Sequence, residues 1–408
     1  METMHKRCAG LDVHAREVVA CVRKTAKGQA AHEVRKFPTA TRDLIALGDW
    51  LASEGVTHVA MEATGVYWRP VWHILEERFT LILANAAHVR NVPGRKSDTN
   101  DATWISDLLA HGLISASFVP PQPIQELRDL TRTRAQLARE AAQHVQRIQK
   151  TLEGANIKLT NVISDILGMS GRRILDAIVA GETNAAKLAA LGSTRLKCAP
   201  ADLIKALEGR ITAHHRFVIG QHLGLIDELS RRIAAFDARI TEVLAPFRDA
   251  FERLTTIPGV SRIAAETILA EIGPDVSMFP TAGHLLSWAG LVPRLDESAG
   301  KRRSTKVRKG APWLKPVLVQ AAWAASRKKG SYYQGQFFRL KPRRGPKKAV
   351  VAVAASLLTA VYHILRDGTV HQDLGATHFA KQDASRTVAK LALRIKDLGY
   401  DIEYKKAA

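Results

Sequence analysis

Cys8-Ala-Gly10-Leu-Asp12-Val13 is an apolar stretch with a single acid inside it, and it opens the pattern that decides how the first part of this chain is read. Residues 8–13, 17–22 and 31–37 carry the apolar and β-branched character of three consecutive strands. Residues 41–53 have the apolar spacing of a helix, and 58–62 read as a fourth strand. A helix over 68–78, a short strand over 81–84 and a helix beginning near Asp98 continue the series.

Three strands followed by alternating helix and strand is the order of an α/β RNase H-like (RuvC-like) domain, a mixed sheet flanked by helices. In such a sheet the first and fourth strands are neighbours. Asp12 on the first and Glu62 at the end of the fourth then converge. Asp98 and Asp101, in Lys96-Ser-Asp98-Thr-Asn-Asp101-Ala102, are three apart on the predicted helix and share a face. Taken singly, Asp98 reads as a helix cap and Glu62 as a chance strand end. Asp12, in an apolar strand, needs a partner, because an unpaired buried charge is costly. Together the four carboxylates repel one another unless cations stand between them. Mg²⁺ suits such a set, taking carboxylate oxygens while keeping waters and phosphate oxygens in its shell. Two such ions roughly 4 Å apart clamp the attacking and leaving oxygens of a phosphodiester. His14, two residues beyond Asp12, reads as a surface or neighbouring group and stays outside the set.

Beyond residue 118 the pattern turns helical. Leu127, Leu130, Leu137, Val145, Ile148 and Leu152 recur at helical spacing over 124–152, as do Leu225, Leu229, Ile233, Phe236, Ile240 and Leu244 over 217–251. Two long helices follow, either pairing as an antiparallel arm or dimerising as a coiled coil. The expected organisation is an acid-bearing domain over 1–118, a helical coiled-coil arm over 119–253, a mainly α domain over 254–368 and a tail over 369–408. Ile257-Pro-Gly-Val260 before an Ala-rich helix reads either as a helix-hairpin-helix turn, its glycine near a phosphate, or as a plain αα-hairpin packed in the core.

Charge names the partner class. The 408 residues hold 60 Lys and Arg against 39 Asp and Glu, a net +21 that favours a polyanion. Residues 294–348 alone contribute 17 basic and 2 acidic side chains, so the excess is a local patch. DNA is the expected partner, with contacts from Lys301, Arg302, Arg303, Lys306, Arg308 and Lys309 in one basic loop. Arg343, Arg344, Lys347 and Lys348 add to them from the run 341–348, expected to be flexible. Trp313, Trp323, Tyr332 and Tyr333 read either as stacking platforms or as core. No apolar run is read as long enough to span a bilayer and the first ten residues lack a signal-peptide core, which points to a cytoplasmic protein without a membrane partner. Cys8, Cys21 and Cys198 have no zinc-ligand spacing and read as buried thiols.

Gly-Leu-Asp12, Glu62-Ala-Thr-Gly-Val-Tyr67, Lys96-Ser-Asp98-Thr-Asn-Asp101-Ala102, Ile257-Pro-Gly-Val260, Trp288-Ala-Gly-Leu-Val-Pro293 and Glu297-Ser298-Ala-Gly-Lys301 together resemble the DEDD transposases of bacterial insertion sequences and the related pilin-gene invertases. That resemblance covers nearly the whole chain. It implies that Asp12, Glu62, Asp98 and Asp101 bind Mg²⁺, and that a serine after the Gly-Leu-Val-Pro element attacks DNA to form a phosphoserine. By motif position the serine is Ser298, although Ser304 lies in the same loop. It further implies a noncoding guide (bridge) RNA from the element's flank. Activation of the serine by metal held on another copy's carboxylates would make a composite site, so a homo-oligomer, dimer or tetramer, is expected. A free serine is a weak nucleophile, and the neighbouring cations suit the charge that develops on a phosphorane. Two other readings compete: a structure-selective endonuclease that uses metal-activated water, and a noncatalytic nucleic-acid-binding protein.

Overall fold

The computed structural model describes residues 3–26, 29–63, 65–85, 89, 100–293, 297–298, 300–304, 306–308, 310–379 and 384–401, with Ser298, Arg302, Ser385, Arg386, Thr387 and Lys390 entering through their backbone. The chain divides into two compact units, Met1–Val119 and Pro120–Ala408.

In the first unit β1 (Arg7–Val13), β2 (Glu17–Ala26) and β3 (Gln29–Pro38) pair antiparallel. On the other side of β1, β4 (His58–Glu62) and β5 (Thr80–Ala84) add in parallel, giving the order β3-β2-β1-β4-β5. Helices cover both faces: α1 (Thr41–Ser53) and α2 (Trp68–Leu75) on one, α3 (Asp101–Ala110) on the other. Strand alternation sorts β1 between them. Ala9, Leu11 and Val13 enter the core with Leu44, Leu47 and Leu75, whereas Cys8 packs with Ile105, Leu108 and Leu109 of α3. Gly10 and Asp12 therefore belong to the α3 face.

Gly10 decides how close α3 comes. A Cβ there would stand 2.2 Å from the Ala102 carbonyl oxygen and 2.4 Å from the Ser106 nitrogen. Only a residue without a side chain lets the helix backbone lie on the strand. The contact is latched at the far end by the buried Arg23 of β2, whose Nε donates to Asp107 Oδ1 at 2.8 Å, while His32 Nε2 meets the same oxygen at 2.9 Å. The N-terminus of α3 is closed by Asn100, whose Oδ1 accepts from the Ala102 amide at 3.0 Å. The described helix thus starts at Asp101, not near Asp98, and the cap role weighed for Asp98 belongs to Asn100. Asp98 lies outside the described residues. Cys8 and Cys21 are buried as expected, and burial pushes the Cys8 thiol up to about 12. Cys198 is only half-buried.

The second unit is helical: α4 (Gln122–Gly154), α5 (Leu159–Val162), α6 (Met169–Ala180), α7 (Ala185–Ala190), α8 (Pro200–Leu207) and α9 (Ala213–Val243) form its first part. The long helices α4 and α9 pack side by side and antiparallel, since Arg134 meets Asp237 while His144 meets His222. The four short helices between them share a core with Ile148, Leu152, Ile219 and Leu223. The helix expected over 217–251 ends instead at Val243. A 3₁₀ turn follows at Ala245–Phe247, where Pro246 has no amide N–H to continue the ladder, and α10 (Arg248–Thr255) starts afresh.

After it come α11 (Arg262–Ile272), α12 (Ala282–Trp288), the two-residue strands β6 (Glu297–Ser298) and β7 (Lys301–Arg302), α13 (Leu314–Ala325), α14 (Tyr332–Arg344), α15 (Pro346–Asp367) and α16 (Ala384–Asp397). Three expectations change here. The run 341–348 is helical on both sides of Gly345, which breaks it with φ of +76° and is followed by Pro346 at the first turn of α15. Helix α15 is, against the sequence reading, long and apolar enough to cross a membrane by composition; half of that stretch is buried inside the protein, with Val350, Val353, Leu357, Leu358 and Val361 in the core. Of the two readings of residues 257–260, the packed hairpin is observed: Gly259, with φ of +83°, faces the backbone of α13, where a Cβ would stand 2.3 Å from the Ala321 oxygen.

Two outcomes follow. Gly10→Ala is expected to lower stability by about 1–3 kcal/mol through overpacking, whereas Gly224→Ala, on α9 with open space around it, should raise it by up to about 1 kcal/mol; chemical denaturation of both variants checks this. Burial first, then His144 and Arg147, hold His222 below the ordinary imidazole value. The unfolded chain then binds the proton more readily than the folded one, so stability falls as pH drops through the unfolded value of about 6.5. His222→Gln should flatten that slope in denaturation curves recorded from pH 8 to about 5.

Candidate functional site

Two parallel neighbours, β1 and β4, are in register from Cys8 opposite His58 to Leu11 opposite Met61. One more residue brings Asp12 level with Glu62, on strands about 4.8 Å apart. Ala60 packs on the α3 side and Met61 on the α1 and α2 side, so alternation puts Glu62 on the α3 face with Asp12. Asp101 stands at the first position of α3, next to the Ala102 that lies on Gly10. Three of the four acids thus gather at one end of the sheet on one face. Asp12, 20 % exposed, meets His14 Nε2 through Oδ2 at 3.1 Å. The sequence reading set His14 aside; its period-two spacing from Asp12 was the signal for this contact. Among the described residues no three His, Cys, Asp or Glu side chains come close enough to grip a metal ion.

In the second unit the basic segment is a hairpin, not an open loop. Glu297 pairs with Arg302 and Ser298 with Lys301, and Pro293 bridges Val307 further down. Ser298 therefore sits at the last paired position before the turn, which contains Gly300 with φ of +71°. The hairpin's base is closed by two glycines, Gly290 and Gly310, with φ of +70° and +62°. A Cβ on Gly310 would stand 2.2 Å from the Ala289 oxygen, and one on Gly290 would stand 2.5 Å from the Gly310 Cα. Lys315 fastens this closure, its Nζ donating to the Gly290 carbonyl at 3.0 Å and the Arg308 carbonyl at 2.8 Å. Burial lowers its affinity for the proton. Sequence reading counted Lys315 only as one cation among many, since two bonds to carbonyls distant in sequence leave no local mark.

Lys301, Arg303, Lys306 and Arg308 are exposed around this hairpin, and Arg343, Arg344, Lys347 and Lys348 are exposed where α14 meets α15. The Ser304 hydroxyl accepts from the Lys306 amide at 3.2 Å, so it is engaged in its own turn. Lys309 lies outside the described residues, as does the side chain of Arg302. Tyr333 is buried and belongs to the core, and Trp323 packs edge-on against Phe337. Trp313 is half-buried beneath two guanidinium groups, those of Arg132 and Arg139.

An α/β unit with acids at its sheet end is joined to a helical unit with a basic hairpin. Residues 9–157 match a family model described as Transposase, of the DEDD IS110 type, and residues 251–336 match the Transposase IS116/IS110/IS902 family. The two matches span more than half of the chain between them, and the chain belongs to this family of insertion-element transposases. It is 32% identical over 126 residues to the insertion element IS110 uncharacterized 43.6 kDa protein of Streptomyces coelicolor, covering 29% of each chain. It is 25% identical over 327 residues to the insertion element IS116 uncharacterized 44.8 kDa protein of Streptomyces clavuligerus, covering 70% of this chain and 78% of that one. It is 32% identical over 116 residues to the pilin gene-inverting protein of Moraxella bovis, covering 28% of this chain and 36% of that one. The chain thus spans about a third of the length of the first and last of these relatives.

The lysine clasp makes a direct prediction. Lys315→Met leaves the Gly290 and Arg308 carbonyls without their donor, at a cost of about 1–3 kcal/mol. Amide exchange measured by mass spectrometry should accelerate over 290–310 while residues 7–62 stay unchanged.

Proposed function

We propose that this protein is a DNA transposase or recombinase of an insertion sequence that cuts and exchanges strands through a phosphoserine intermediate. The observation that carries the reading is the placement of Asp12, Glu62 and Asp101 on one face at one sheet end. The strand order 3-2-1-4-5 supports taking residues 1–118 as an RNase H-like (RuvC-like) domain. The remaining parts are then the coiled-coil arm over 119–253, the nucleophile-bearing domain over 254–368 and the tail over 369–408.

All four acids of the set offer hard oxygen donors, a donor set that fits Mg²⁺. Asp12, Glu62, Asp98 and Asp101 would hold it. Bound there, the ion supplies charge neutralisation for phosphodiester oxygens. Ser298 does the covalent work: its Oγ loses a proton and bonds to phosphorus, the phosphorus–sugar oxygen bond breaks, and the departing sugar oxygen takes up a proton. The new phosphodiester conserves the bond for rejoining. Lys301, Arg302, Arg303, Lys306, Arg308 and Lys309 meet the charge on the phosphorane. Arg343, Arg344, Lys347 and Lys348 hold the backbone of DNA without reading its sequence. Cytoplasmic DNA, donor and target, is the substrate. A guide RNA from the element's flank is the partner that the family resemblance brings, and further copies of the chain are partners if the metal that activates Ser298 is held by another copy.

The test is to express the gene with its natural flanking DNA and trap protein joined covalently to DNA. Wild type should give an adduct, and Ser298→Ala and Asp98→Ala should give none. Cleavage that persists in Ser298→Ala without an adduct would instead assign the attack to metal-activated water.

A further inference from the structure

Between α4, α11 and α13, wholly inside the second unit, lies a cleft of about 260 Å³ that the chemistry above does not use. Its floor is small and apolar, with Ala135 and Ala138 of α4 one helical turn apart; Val317 of α13 adds to it. Its wall is the half-buried indole of Trp313.

Two arginines stand over that indole in different electrostatic states. Arg132, 5.7 Å from the ring centroid, is fixed by a bidentate pair with the buried Glu271, its Nε and Nη2 donating at 2.7 and 2.8 Å. Arg139, 4.8 Å from the centroid, has no carboxylate partner among the described residues and is exposed. The acid in the wall, Glu266, is held by Arg262 at 2.7 Å. The cleft thus presents one uncompensated cation beside an aromatic face, and Gln320 at the rim offers an exposed amide.

We infer that this cleft seats one unpaired nucleotide of a single-stranded nucleic acid, its base against Trp313 and its phosphate on Arg139. The volume lies just below the ~300–1,000 Å³ of pockets that engulf a small-molecule ligand, which suits one base with its backbone passing outside. Aromatic stacking accepts any base, and guanidinium adds cation–π and phosphate contacts. A duplex has no free π-face to offer, so the strand must be unpaired. The polyanion is consistent with the net +21, of which the Trp313 segment carries most. The inference rests on the proposed function only in taking nucleic acid as the ligand class.

The full chain, kept in chelator so that no cleavage occurs, is titrated against labelled oligouridylate and oligothymidylate of about 12 nucleotides and against a duplex of equal length. Trp313→Ala and Arg139→Gln should each weaken single-strand binding about 10-fold or more and leave duplex binding unchanged, while Trp313→Phe keeps most of the affinity. Loss of oligouridylate binding alone names RNA as the source; loss of oligothymidylate binding alone names DNA; both outcomes support the site. Should Trp313→Ala fail to fold, photocrosslinking of 5-iodouridine oligonucleotide to the wild type decides, with Trp313 as the expected attachment. Equal losses for single strand and duplex, or no loss in Arg139→Gln, would overturn the inference. Ser298→Ala protein should bind like wild type, so failure here leaves the phosphoserine reading standing.

Discussion

The contact of a helix backbone with a strand backbone at Gly10 is the constraint on which the first unit depends. With a Cβ only 2.2 Å from the Ala102 oxygen, any side chain at that position would lift α3 from the sheet. Helix α3 carries Asp101 at its first position, and β1 carries Asp12 one pleat beyond Gly10. The glycine and the two acids are therefore one device: the first sets the separation of the other two. The Arg23–Asp107 pair holds the same helix at its other end, so its position is fixed at both termini.

The second unit solves a similar problem differently. A two-residue strand pair cannot hold its own shape, because an isolated hairpin is at best marginally stable in water. Here the base of the hairpin is closed by Gly290 against Gly310, and the segments that lead into and out of the two strands are tied by one lysine that reaches the Gly290 and Arg308 carbonyls. Position is thus imposed on the Ser298 backbone from the packed helix α13, which carries Lys315, rather than from the turn itself.

Much of this was legible in the sequence. The five strands and the β1–β4 neighbourhood followed from local patterning; β1, β2, β4 and β5 bury residues and show it, whereas the edge strand β3 buries none and was read from its alternation alone. The acids were legible as types, since a carboxylate inside an apolar strand has few benign explanations. Contacts between distant backbones were not. Gly10 looks like any strand glycine until α3 is placed on it, and the packing of Gly259 on the backbone of α13 could not be read from its turn motif. The run at 341–348 looked like a loop because Pro and Gly punctuate it, yet Gly345 and Pro346 occupy the junction of α14 and α15, where they are tolerated, and Pro342 is carried inside the last turn of α14. The apolar length of α15 was underestimated because polar residues interrupt a stretch whose mean hydropathy stays high.

Strand pairing and the Gly10 contact bring Asp12, Glu62 and Asp101 to one end of one sheet face, and the proposed function takes that set to hold a divalent cation. That claim is tested most directly by calorimetric titration of Mn²⁺, a spectroscopically useful stand-in for Mg²⁺, into the wild type, Asp12→Asn and Glu62→Gln. Saturable binding that disappears in both variants at unchanged thermal stability is the expected result. Binding that persists undiminished in either variant would contradict the account.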